Sequence, residues 1–328
     1  MAVVAVAGGL GDMGRLTTKE LMDIQKYEVY SLSRRLPSSH PEYTSPLSGK
    51  TYFPVLQTNY GNEDALVELF TQYNVHTVIC TFAMDFQDAS DAQLRLIRAA
   101  QRAPCVKRFI PSEFNIDYDL PDDILPYPEK RFHIVARREL EKTALEYTYI
   151  YPGMFMDYFG MPNIQTHLRE LCIVLDPTNR KAVIPGDGNA KMSMSFTKDV
   201  ARYTALALEL ETWPKVLKTV NSTVTLNQLL ALVEENLGYK LDVTYESVEK
   251  LKRHETDVLP RNVPIADQFP GGMAQLKALI SDLEASIALG AYDLDDVEGS
   301  LDLVKTFQEK TEPLMTIEKL MQIAWKPQ

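Results

Sequence analysis

The stretch Val6-Ala7-Gly8-Gly9-Leu10-Gly11-Asp12-Met13-Gly14 constrains this fold more than any other part of the chain. Its glycines fall as Gly8-x-x-Gly11-x-x-Gly14, between the apolar run of residues 2–7 and a helical period over 12–23. Glycine at the turn permits positive φ, a second lets backbone approach a pyrophosphate, and a third lets helix and strand pack closely. The helix start, with the amides of Asp12 and Met13, would add donors and the positive end of its dipole. A glycine pattern alone is a weak signal; set between the first strand and the first helix, it predicts a dinucleotide-binding crossover.

Further apolar runs over 28–33, 76–83 and 107–112 alternate with helical periods over 63–73 and 91–103, and a helix near 129–144 precedes a strand at 147–152. The runs are continuous rather than alternating, which suits a parallel sheet covered on both faces. The expected architecture is therefore α/β, a Rossmann-type doubly wound parallel sheet with a smaller mixed α/β C-terminal domain. The expected division is 1–157 for the dinucleotide-binding domain, with about 195–222 returning to it, and 158–328 for a substrate-binding domain. Thr225 and Gln228 stand at capping-box spacing before a helix that Gly238 closes. Prolines and glycines punctuate residues 257–275, which predicts a long loop over the site or between helices.

The cofactor is read at the end of the second strand. An NAD site places a carboxylate there for the ribose hydroxyls, whereas a 2′-phosphate wants a guanidinium. Here the strand ends on Ser33, Arg34 and Arg35 with no carboxylate, which favours NADP(H); the alternative is that one arginine only decorates the loop. Ligands bind at the carboxyl ends of parallel strands, so Thr81, Phe82 and Ala83 should run beside the ribose and nicotinamide.

Other partners are narrowed by charge and chain chemistry. A net charge of −11 repels a nucleic-acid backbone, and the basic clusters are short. No run reaches the ~18 apolar residues of a membrane span, and the start lacks a basic signal-peptide region. Cys80, Cys105 and Cys172 are widely spaced in apolar runs, as expected of thiols in a reducing cytoplasm. Asp117, Asp119, Asp122 and Asp123 read as a loop, not as a metal site. A monomer or a homodimer fits this composition.

With the glycine turn, "VKRFIPSEFNID" (106–117) and "LEYTYIYPGMFMDYF" (145–159) in view, the chain resembles the NmrA-like and isoflavone-reductase-like atypical short-chain dehydrogenases/reductases. The stretch "IPGDGNAKMSMSFTKDVARYTALALELETWP" is similar to their fungal branch, whose members often serve secondary metabolism. The likeness runs from residue 2 to about 250 and then thins. It implies an NADP(H) site that includes Ser112, Glu113 and Phe114, and the backbone of Pro152, Gly153, Met154 and Phe155 beside the nicotinamide. In the plant branch a lysine on the helix after this Ser-Glu-Phe stretch assists reduction of phenylpropanoid-type double bonds or benzylic ethers.

At the position of that lysine stands His133, so the sequence departs from the family where the chemistry would be. The nearest lysine is Lys130. Phe132, Thr143, Ala136, Glu129, Leu140 and His133 share one arc of the helix, with His133 at its edge. Glu129, at i and i+4 from His133, is expected to touch the imidazole and raise its pKa. Catalysis, a ribose or packing contact, and a spare surface histidine are three open readings of His133. Arg137 and Arg138, with Glu139 and Glu141, read as solvated charge. Phe155, Tyr158, Phe159 and Met161, with Phe114, form either a substrate wall or core packing between domains. A wall of that kind would take a small hydrophobic metabolite, aromatic or polycyclic.

Three functions follow as expectations. The first is an NADP(H)-dependent oxidoreductase delivering hydride to C=O, C=N or conjugated C=C, with His133 moving the proton. The second is an NADP(H)-sensing regulator without turnover, motivated by the missing lysine. The third is a cyclase or isomerase in which NADP(H) has a redox-assisted or structural role.

Overall fold

The computed structural model describes residues 2–39 and 41–326. A six-stranded parallel sheet forms its centre, in the order Val55–Gln57, Tyr27–Ser33, Ala2–Ala7, Val75–Cys80, Arg108–Ile110, Glu146–Tyr147. Val4, Ala5, Val6 and Ala7 are fully buried, as the unbroken apolar run requires of a central strand with helices on both faces. From Ala2–Ala7 the chain winds outward to one edge, then returns to the other side at Val75–Cys80. The carboxyl ends of those two strands therefore flank the crevice where an open α/β sheet takes its ligand.

The helices Asp12–Asp23, Glu63–Gln72, Gln87–Arg102 and Lys130–Leu140 cover the sheet. The edge strand Val55–Gln57 did not show in the sequence, because three residues after Pro54 are too short to declare a period. The strand expected over 147–152 is broken at Thr148. Glu146–Tyr147 stays in the main sheet, while Tyr149–Tyr151 pairs in parallel with Val216–Lys218, which in turn pairs with Ser300–Asp302. The helix Thr197–Ala207 also packs on Asp12–Asp23, so distant parts of the chain complete the first half.

Small three-stranded sheets follow, one joining Met154–Phe155, Lys191–Ser195 and Ser222–Thr225. Helix Leu226–Leu237 opens with the reciprocal Thr225–Gln228 capping box and ends at Gly238, φ 72°. Residues 257–275 are not the expected loop. They form a 3-10 helix, Pro260–Gln268, and the start of helix Gly272–Ala288. Pro260 suits a first helical turn, and Asn262 fixes the segment by bonding both the backbone N–H and the C=O of Cys172 at 2.8 Å. Among the described residues no helix is long and apolar enough to cross a membrane.

Candidate active site

The glycine turn opens directly into the crevice. Gly8 adopts φ 77°, and a Cβ on Gly14 would stand 2.0 Å from the Gly8 carbonyl oxygen, so the helix can begin this close to the strand only on glycine. Side chains stitch the neighbouring strand ends together. Thr81 Oγ1 donates to Ala7 O (2.9 Å), Ser112 Oγ donates to Phe82 O (2.6 Å), and Ser112 N donates to Gln93 Oε1 (2.7 Å). The Tyr60 hydroxyl donates to Leu32 O (2.9 Å) and packs its ring edge-on against Phe82. On the opposite wall Gly153 has φ 72°; a Cβ there would lie 2.1 Å from Ser193 O, and its N–H donates to Asn115 O (2.9 Å).

These elements enclose a cavity of ≈ 580 Å³. Of the expected cofactor residues, Gly8, Gly11, Asp12, Met13, Ser33, Arg34, Thr81, Phe82, Ala83, Ser112, Phe114, Gly153, Met154 and Phe155 line it. Arg35 sits beside it, bordering a shallow depression with Ser33 and Arg34. Gly14 and Pro152 are not in the lining; the Pro152 carbonyl accepts a hydrogen bond from Ser195 Oγ (2.7 Å). Of the expected substrate wall, Phe114, Phe155 and Tyr158 face the cavity. Phe159 and Met161 are buried, Phe159 in the main core, where its carbonyl receives Trp325 Nε1.

His133 also lines the cavity, yet it is not at the edge of a buried arc. The buried face of its helix comprises Lys130, Phe132, His133, Ala136, Arg137 and Leu140, because the loop after the Ser-Glu-Phe stretch folds over it. The Tyr118 ring lies flat on the imidazole, centroids 3.6 Å apart and planes 6° from parallel. Glu129 is half-buried at the helix start and makes no hydrogen bond to His133 among the described residues; His133 Nδ1 is buried without a partner there. The expected rise in pKa is therefore reversed. Burial, then the charge of Arg137, push the imidazole down to about 3, against a backbone hydrogen bond at Ser112. It is a neutral ring at any physiological pH.

Lys130 is absent from the cavity lining. Its Nζ donates to Leu120 O and pairs with Asp122, both at 2.7 Å, so it anchors the loop. Arg137, expected in solvent, is buried: its guanidinium grips Glu113 and reaches Asp117, Asp119 and the Tyr151 hydroxyl. Glu113 is consequently a partner of Arg137 inside the protein and does not face the cavity. The acidic loop of residues 117–123 is the counter-charge to this helix. Arg138 stays exposed as expected.

Residues not anticipated complete the wall: Asn115, Tyr118, Tyr127 and Tyr292, with Leu171, Ile173 and Leu283. Asn115 Nδ2 donates to the Tyr118 hydroxyl (3.0 Å). Asp85 and Arg169 stand at the same cavity, paired at 2.6 Å. Among the described residues no cluster of three His, Cys, Asp or Glu is placed to hold a metal.

The sequence model of the NmrA-like family matches residues 1–296. Oxidoreductase BOA1 of Botryotinia fuckeliana is 34% identical over 213 residues, 65% of this chain and 68% of that protein. Oxidoreductase swnN of Metarhizium robertsii is 27% identical over 320 residues, 90% of each chain. Among solved structures, the ternary complex of leucoanthocyanidin reductase from Vitis vinifera superposes with TM-score 0.72 at 18% identity, covering 97% of this chain and 98% of that one.

Proposed function

Because the chain belongs to the NmrA-like family, we propose that it is an NADP(H)-dependent oxidoreductase acting on a small, uncharged, hydrophobic metabolite, aromatic or polycyclic, in secondary metabolism. One observation carries this reading: a single cavity has a glycine-and-arginine lining for a phosphorylated dinucleotide and an uncharged aromatic lining for a second ligand. Gly8, Gly11 and the amides of Asp12 and Met13 suit a pyrophosphate, and Ser33 with Arg34 suits a 2′-phosphate. Tyr118, Tyr127, Tyr292, Leu171, Ile173 and Leu283 carry no formal charge, so an ionised substrate would be desolvated there without a partner.

When bound, NADPH supplies the hydride. The protein's task is to hold the acceptor carbon against it, exclude water and stabilise charge on the acceptor oxygen or nitrogen. His133 has no ionisable proton to give near neutrality, because its ring is already neutral. Its one N–H is taken by the Ser112 backbone, so its role in this reading is to hold the acceptor in place by contact, its own plane set by Tyr118, with the proton drawn from solvent afterwards. Asn115 and the hydroxyl of Tyr118 offer a polar anchor beside it.

The test is nicotinamide absorbance with purified protein, NADPH and a panel of aromatic ketones, cyclic imines and enones. Substrate-dependent loss of the NADPH band, weakened in His133→Ala with cofactor affinity retained, supports the reading. Tight NADPH binding with no consumption across the panel favours a sensor, and product without net consumption favours an isomerase.

A further inference from the structure

The cavity is lined by four formally charged side chains, Asp12, Arg34, Asp85 and Arg169, among the described residues. Arg34 belongs to the carboxyl end of the second strand, where the ribose phosphate would lie. The other three interact with one another: Asp85 pairs with Arg169, and Asp12, on the glycine turn, is within electrostatic reach of that guanidinium. Asp12 is the first residue of the helix whose amides point at the cavity, and Asp85 follows the fourth strand by five residues. Two carboxylates there oppose a doubly charged pyrophosphate, and amides alone would have to outweigh them. Arg15 gives no help, since its guanidinium is turned back onto the carbonyls of Leu10 and Gly11.

Arg169 is the cation that remains. It lies in the irregular segment 162–173, which also brings Leu168, Leu171 and Ile173 to the cavity. Its Nη2 stands 2.6 Å from Asp85 Oδ2, with side chains 66% and 42% exposed, so this is a weak, solvent-screened pair that a better anion can displace. Asp12 and Tyr158 are also within electrostatic reach of the guanidinium. The bond to Asp85 is a single Nη2 contact, whereas a planar fork can hold two phosphate oxygens at once.

We propose that Arg169 is a cofactor-binding residue which exchanges Asp85 for the pyrophosphate of the dinucleotide, drawing segment 162–173 over it. This rests on the dinucleotide reading above. In the exchange Asp85 becomes the resting partner of Arg169, and binding energy at the cofactor helps complete the substrate wall formed by Leu171 and Ile173.

The experiment is calorimetric titration of the wild type, Arg169→Gln, Arg169→Lys and Asp85→Asn with NADP⁺, NADPH and adenosine 2′-monophosphate, which has the 2′-phosphate but neither phosphate of the pyrophosphate. Arg169→Gln should bind both dinucleotides about tenfold more weakly or worse and the monophosphate unchanged; Arg169→Lys should fall between, and Asp85→Asn should bind dinucleotides severalfold more tightly. Dinucleotide affinity within twofold of wild type in Arg169→Gln overturns the inference while leaving the dinucleotide reading intact. Equal weakening for monophosphate and dinucleotides also overturns it, by assigning Arg169 a general effect. A wild type that binds neither dinucleotide nor monophosphate sinks the underlying reading instead. Arg169 is exposed, so unchanged melting of the ligand-free variant is expected.

Discussion

Arg137 Nε lies 3.0 and 2.9 Å from the two carboxylate oxygens of Glu113, and both side chains are buried one helical turn beyond His133. This fork ties the Ser112–Phe114 turn to the helix that carries His133. Ser112 and Phe114 face the cavity on either side of Glu113, so the residue between them, turned inward, fixes where its neighbours point. The same guanidinium helps keep the imidazole neutral. One buried cation thus ties the helix of His133 to the Ser112–Phe114 turn and adds to the burial that keeps the imidazole neutral.

Removing it leaves Glu113 buried with no cation in contact. Arg137→Ala is expected to lower unfolding free energy by about 3–5 kcal/mol, read by urea denaturation, because breaking one side of a buried pair strands the other charge. Arg137→Ala with Glu113→Ala should cost less than the single substitution plus Glu113→Ala taken separately. A single-variant loss below about 1 kcal/mol would contradict the burial of this pair.

His133 makes stability depend on acid. Its folded pKa, about 3, lies below its ordinary value of 6.5, so the folded state binds fewer protons than the unfolded chain across that interval. The associated stability is fully present above pH 6.5 and is lost as pH falls toward 3, by ~1.4 kcal/mol per unit. Relative to His133→Asn, the wild type should therefore lose about 2–3 kcal/mol between pH 6.5 and 4.5. Parallel stability curves would show that the ring is protonated in the fold. The pH–rate profile near neutrality should likewise show no limb that vanishes in His133→Asn.

The glycine turn, the central strands and Arg34 were legible because each is a local pattern: apolar runs, glycines at a strand–helix junction, a guanidinium where a carboxylate would otherwise stand. The helix Lys130–Leu140 shows where that legibility ends. Periodicity gave its existence, but its buried face turned toward His133 and Arg137 because an acidic loop lies over it, and no helical wheel contains the loop. Asp117 and Asp119 read only as a loop for the same reason. Tyr292 reaches the cavity from far along the chain, and nothing near it in sequence signals that. Arg169 sits in a segment without period or motif, so only the folded chain brings it to Asp85.

Arg34 and Arg35 are adjacent in sequence and unequal in place. Arg34 lines the cavity, whereas Arg35 borders only the depression outside it. Arg34→Ala should weaken NADPH by about 10- to 100-fold, the loss of a charge-assisted contact worth ~1.5–3 kcal/mol, and leave NADH within about twofold. Arg35→Ala should change NADPH by less than about fivefold. Fluorescence titration with both cofactors decides it; equal effects on NADPH and NADH would remove Arg34 from the 2′-phosphate.

Glu284, buried beside the cavity-lining Leu283, offers the opposite sign of pH dependence. Its carboxylate accepts from Thr256 Oγ1 at 2.6 Å inside the C-terminal half, and burial pushes it from 4.5 up to about 8, the Thr256 bond only partly offsetting that. The folded state therefore holds a proton that the unfolded chain has released, and the stability this gives is present below pH 4.5 and lost as pH rises through 8. Gln at this position keeps an acceptor for Thr256 and carries no charge at any pH. Glu284→Gln should lie within about 1 kcal/mol of the wild type at pH 5 and exceed it by on the order of 2–4 kcal/mol at pH 8.5. His133 is common to both proteins, so its own titration cancels in the difference. Urea denaturation at several pH values gives the two curves, and a gap that does not widen with pH would mean that Glu284 is ionised in the folded chain.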